Sequence, residues 1–129
     1  MPALSTIPPL LLVALGGGVG AVLRYLVGQW TLANFGPAFP FGTWAVNIAG
    51  GLAMGLLVGW LAQRDADGEA LRLLLGVGVL GGFTTFSAFS LEVFTMIVRG
   101  DTGLAGAYAL SSVAGAVLAV MTGVWLARA

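Results

Sequence analysis

The chain contains no cysteine, no histidine and no lysine. Without cysteine there is neither a disulfide nor a thiolate site, and no mark of a redox compartment. Without histidine, imidazole acid–base chemistry, imidazole metal ligation and any Ser-His-Asp arrangement are excluded. Charge of either sign is scarce. Only 8% of the 129 residues are charged, where a soluble domain carries roughly a quarter. Five arginines balance five acids, so the basic surface that nucleic acid requires is missing. Of the acids only Glu92 falls outside a loop, which leaves no pair of carboxylates for general acid–base work. An enzyme is not expected. The first nine residues lack a basic n-region, so no cleaved leader is expected either.

What is present is apolar. Hydrophobic residues make up 59% of the chain and mean hydropathy is +1.03. Four spans emerge, each near the roughly 20 residues that a bilayer requires. They cover about Leu10 to Trp30, Thr43 to Ala62, Leu71 to Val98, and Gly103 to Leu126. The expected fold is an all-α membrane protein, one domain over residues 1–129 with four transmembrane helices. Pro8-Pro9 starts the first helix. Gly36, Pro37 and Pro40 punctuate the first loop, and Gln63 to Glu69 is the only strongly polar linker. Trp30, Phe35, Phe39, Phe41 and Trp44 should mark one membrane face, with Trp60 and Trp125 at the other.

Small residues indicate how the helices meet. Gly16 and Gly20 continue into Arg24 and Gly28 on the first span; Gly51, Gly55 and Gly59 line up on the second. On the fourth, Gly103, Ala107, Ser111, Gly115, Ala119 and Gly123 recur every fourth position. Such faces let backbones approach closely, and their surplus points to an oligomer. Arg64, Arg72 and Arg128 fall at one end, Arg24 and Arg99 toward the other. Three against two is almost no orienting bias. Either a weak bias fixes one orientation, or single chains insert both ways and opposite copies pair.

The third span is interrupted. Gly81-Gly82-Phe83-Thr84-Thr85-Phe86-Ser87-Ala88-Phe89-Ser90-Leu91-Glu92 sets two glycines against hydroxyl residues in mid-span, where helix is poorly supported. A break in lipid survives only where protein or a hydrated cavity satisfies the freed backbone groups, and such breaks hold ions in transporters. The middle of the span falls between Thr84 and Thr85. Around it, Thr43 and Asn47 lie four apart on the second span, and Tyr108 and Ser112 four apart on the fourth. Thr122 follows along roughly the same stripe. Thr85, Ser87 and Ser90 add hydroxyls. Phe86 and Phe89, three apart, suit a pathway wall, with ring edges for an anion or faces for a cation. Arg24 and Glu92 are functional candidates because charge inside a span is rare. Arg24 also has the reach to snorkel to headgroups, and the two could meet.

Three motifs then carry a resemblance. Gly17-Gly18-x-Gly20-Ala21-x-x-Arg24-Tyr25, Gly42-Thr43-x-x-x-Asn47-x-x-Gly50 and the Gly81 to Glu92 stretch resemble the small fluoride channels called Fluc, or CrcB-type proteins. The likeness covers essentially the whole chain, and the third motif is highly specific. Ala88 departs from it, standing where a small hydroxyl residue is common. The resemblance implies an antiparallel, dual-topology homodimer with two pores in the plasma (inner) membrane, passively expelling fluoride. Asn47 would be a pore donor, and Phe86 and Phe89 would turn ring edges to the anion. Tyr108 and Ser112 would line the pathway, Thr43 would belong to its polar wall, and Thr85 and Arg24 remain candidates beside it. Carbonyls of Gly81 and Thr84 from both chains would hold a structural sodium ion at the dimer axis. The partners implied are fluoride, sodium, lipid and a second copy. A rival reading is a dual-topology, proton-coupled exporter of drugs or cations, which needs a carboxylate in the first span; none is there. A non-conducting structural protein would need neither Asn47 nor the break.

Overall fold

The computed structural model describes residues 2–64 and 68–129, so residues 65–67 of the polar linker lie outside the described residues. Among the described residues all regular structure is helical. Four helices are long and apolar enough to cross a membrane: Pro9–Phe35, Phe41–Leu61, Gly68–Val98 and Thr102–Arg128. The chain is all-α and multi-pass. The first span runs past Trp30 because no breaker intervenes before Gly36. There φ reaches 74°, a conformation that glycine adopts without Cβ strain, and the Gly36 amide closes on the Leu32 carbonyl at 3.0 Å. A second turn of this kind, with Gly100 at φ 92°, separates the third span from the fourth.

The spans pair first with third and second with fourth, because glycine permits backbone contact there. A Cβ on Gly20 would strike the Val79 carbonyl, and one on Gly55 would strike that of Val120. The expected stripes on the first and second spans are therefore the packing faces. The every-fourth stripe on the fourth span is only partly one. Gly123 is buried against the second span, but Gly103 is open. Steps of four advance about 40° beyond a full turn at 3.6 residues per turn, so the row winds off the contact face. Ala105, Tyr108, Ser112 and Gly123 are the buried set instead. Thr122 lies ten residues past Ser112, about 80° short of three full turns at 3.6 residues per turn, so it is exposed, with its hydroxyl donated to the Leu118 carbonyl of its own helix.

The third span differs most from a plain helix. After a turn at Gly68–Leu71 it widens into a π-helix over Arg72–Leu80, tightens at Gly81–Phe83, breaks, and resumes as Phe86–Val98. The π segment is where Gly76 and Gly78 are buried and the first span presses closest. π-Helical windings concentrate at functional sites. The aromatic residues expected together at one end do cluster. Trp30, Phe35, Phe41, Phe39 and Trp44 form a chain of ring contacts 4.7 to 6.1 Å apart. At the opposite end the Arg64 guanidinium lies 3.8 Å from the centre of the Trp60 ring.

Candidate functional site

The break consists of two extended residues, Thr84 (φ −89°, ψ 157°) and Thr85 (φ −151°, ψ 127°). The Thr84 amide and Oγ1 both donate to the Leu80 carbonyl, at 3.0 and 2.9 Å, closing the first half. The second half is capped by Thr85, whose Oγ1 accepts from the Ala88 amide at 3.2 Å, as hydroxyl residues do at helix starts. Asn47, from the second span, bridges the gap. Its Oδ1 accepts from the Thr85 amide at 2.8 Å and its Nδ2 donates to the Thr85 carbonyl at 2.9 Å.

Those bonds decide which carbonyls are released. An unbroken helix would send the Thr85 amide to Gly81 and the Ala88 amide to Thr84. Both amides go to side chains instead, leaving the Gly81 and Thr84 carbonyls without their helical donors; the extended Thr84 and Thr85 part the Phe83 carbonyl from the Ser87 amide as well. The Gly82 carbonyl is taken by Arg24 Nε at 3.1 Å. Arg24 therefore holds the break from the first span and forms no ion pair with Glu92 among the described residues.

A cavity of about 450 Å³ opens beside the break, lined by Asn47, Thr85, Phe86, Phe89, Ser112 and two of the released-carbonyl residues, Gly81 and Thr84. Among the described residues no charged one lines it. The Phe86 and Phe89 rings lie 5.6 Å apart at 43°; Phe89 is 8% exposed and Phe86 76%. Asn47 has two N–H donors, and one serves Thr85. Ser112 is 4% exposed, and its hydroxyl has no hydrogen-bond partner. A buried polar group without a partner is rare and costly. The cavity is thus apolar-walled, uncharged and supplied with spare donors, which suits a partly dehydrated anion.

A second cavity, of about 290 Å³, lies toward the aromatic end and contains Thr43 and Glu92. Thr43 Oγ1 donates to Glu92 Oε1 at 2.7 Å, and the Tyr108 hydroxyl donates to Oε2 at 2.6 Å. The four-residue pairs seen in the sequence are thus divided. Asn47 and Ser112 open to the larger cavity; Thr43 and Tyr108 bind the carboxylate beyond it.

A family profile described as "CrcB-like protein, Camphor Resistance (CrcB)" matches residues 11–124. The chain belongs to the CrcB family. It is 58% identical over 116 residues to a protein of Novosphingobium aromaticivorans, covering 88% of each chain. It is 60% identical over 120 residues to one of Phenylobacterium zucineum, covering 92% of this chain and 94% of that one. A Sphingopyxis alaskensis protein is 55% identical over 116 residues. All three are named "Fluoride-specific ion channel FluC". CrcB-family proteins of this kind are channels, and the chain is not an enzyme.

Two features of this CrcB-family chain escaped sequence reasoning. One is Glu92 as the acceptor of two hydroxyls. Its signal was present: a lone acid inside a span, with its nearest cation elsewhere, must take neutral donors. The other is the π-helix, for which the Leu-rich run Arg72–Leu80 offers no signature.

Proposed function

We propose that the chain is a fluoride-selective passive channel that lets fluoride leave the cytoplasm across the plasma (inner) membrane and so lowers its toxicity. The observation that carries this reading is Ser112. Its hydroxyl is buried, unpartnered and beside Asn47 and two phenylalanines in an uncharged cavity. Fluoride is small and strongly hydrated, so a selective path has to replace its water with closely placed donors. Ser112 Oγ and the remaining Asn47 N–H would donate to the ion, and the rings of Phe86 and Phe89 would offer their positive edges. Thr85 keeps Asn47 in place. Beyond, Tyr108 and Thr43 would form the polar continuation around Glu92. The names of the relatives support fluoride as the ion. Glu92 does not favour proton-coupled export, since both its oxygens already accept hydroxyl bonds.

The working unit in this reading is an antiparallel homodimer with two pores. One chain leaves Gly81, Phe86 and Ser87 exposed at the break, and polar backbone at that depth needs protein or a hydrated cavity to cover it. A second copy related by an axis in the membrane plane near Thr84 would supply that cover. A structural sodium ion fits the released carbonyls of Gly81 and Thr84, hard oxygens without a carboxylate. One chain offers two such oxygens and two chains four. When bound, the ion would attract the neutral carbonyl dipoles of both chains and so tie the two breaks together. The weak arginine bias, three against two, is compatible with two-way insertion, and dual topology rests mainly on the family resemblance. Fluoride efflux from liposomes holding the purified protein, with chloride as control, tests the proposal; equal fluxes would overturn it.

A further inference from the structure

The two cavities share no lining residue. Between them stands the Tyr108 ring, 0% exposed. On its inner side the Phe89 ring lies 5.2 Å away, and Phe89 lines the larger cavity. On its other side Phe39 meets it edge-on, at 5.3 Å and 88°, and Phe39 lines the smaller cavity. Phe39, Tyr108 and Phe89 therefore form a three-ring wall between Ser112 and Glu92. An ion moving from one cavity to the other has to displace Tyr108, which Phe39 backs and the Glu92 carboxylate holds by its hydroxyl.

Phe39 is built to stay in place. It belongs to the short loop between Gly36 and Pro40, where proline fixes the backbone, and the Phe41 amide closes a tight turn onto the Phe39 carbonyl at 2.9 Å. Phe41 and Trp44 press on its ring at 4.7 and 6.1 Å.

We infer that Phe39 is a specificity-determining positioning residue, limiting how far Tyr108 yields and so favouring the smaller halide over chloride. The inference rests on the fluoride-channel reading, which wild-type fluoride efflux tests separately. Phe39→Ala leaves a space behind Tyr108 into which the ring can tilt. Chloride flux relative to fluoride flux should then rise about tenfold or more, the scale on which pocket size discriminates. Phe39→Trp, which keeps an aromatic backstop, should retain the wild-type ratio. Phe35→Leu, which removes a belt ring that touches neither Tyr108 nor the cavity, should leave it unchanged. Phe39→Leu carries the test if the alanine variant unfolds, and should raise the ratio less. A merely structural role would lower both fluxes together at constant ratio. That result, or an equal shift in Phe35→Leu, overturns the inference.

Discussion

Replacing Ser112 with alanine separates folding from conduction. Ser112 is 4% exposed and its hydroxyl bonds to nothing among the described residues. The fold therefore loses no hydrogen bond in Ser112→Ala, and it sheds a group that was desolvated without compensation. Stability should change by less than about 1 kcal/mol, in the stabilising direction. Conduction should respond in the opposite sense. A hydrogen bond to a charged partner contributes about 1.5–3 kcal/mol. If the bond is made where the anion is most dehydrated, its loss slows passage roughly 10- to 150-fold at about 1.4 kcal/mol per decade. Fluoride-electrode efflux from liposomes gives the rate, and thermal unfolding in detergent gives the stability. Wild-type flux within about twofold would refute the donor role, since even the weaker bond predicts a decade. A clear loss of stability would show that the hydroxyl has a partner in the fold.

Four other outcomes follow from the glycine contacts and from the proposed dimeric channel. Asn47→Asp keeps the acceptor for the Thr85 amide but loses the donor to its carbonyl and adds a like charge beside the anion. Fluoride flux should collapse, while the dimer persists by size-exclusion chromatography. Gly20→Ala drives a methyl into the Val79 carbonyl and should cost about 1–3 kcal/mol of stability. Gly103→Ala meets nothing within 4 Å and should be neutral within about 0.5 kcal/mol in the same unfolding assay. Rigorous sodium removal should weaken the dimer and stop fluoride flux, and no sodium flux should accompany fluoride in sodium-containing buffer; full activity without sodium would refute the central ion.

The sequence revealed some parts of this protein more readily than others, for physical reasons. Span number and the break were readable because hydropathy and a Gly-Gly-Phe-Thr-Thr run are local properties. Asn47, Phe86, Phe89 and Ser112 converge on one cavity as their positions near the break suggested. The destination of each hydrogen bond was not readable. Arg24 and Glu92 looked equivalent as intramembrane charges, yet one holds the Gly82 carbonyl and the other gathers the Thr43 and Tyr108 hydroxyls. That choice depends on how the first span is rotated against the third, which the glycine contacts fix only in three dimensions. Likewise a four-residue pair shares a helix face but not necessarily a cavity. Thr43 and Asn47 are neighbours on one helix, yet they open to different cavities.

The central claim is passive passage of fluoride, and a single liposome experiment addresses it directly. Vesicles loaded with potassium fluoride and holding the purified protein are diluted into fluoride-free buffer. Release is followed before and after addition of a potassium ionophore, with and without an imposed proton gradient, and repeated with potassium chloride. Little release is expected until the ionophore compensates charge, then rapid fluoride efflux indifferent to the proton gradient, with chloride retained. Efflux that follows the proton gradient without ionophore, or chloride leaving as fast as fluoride, would contradict it.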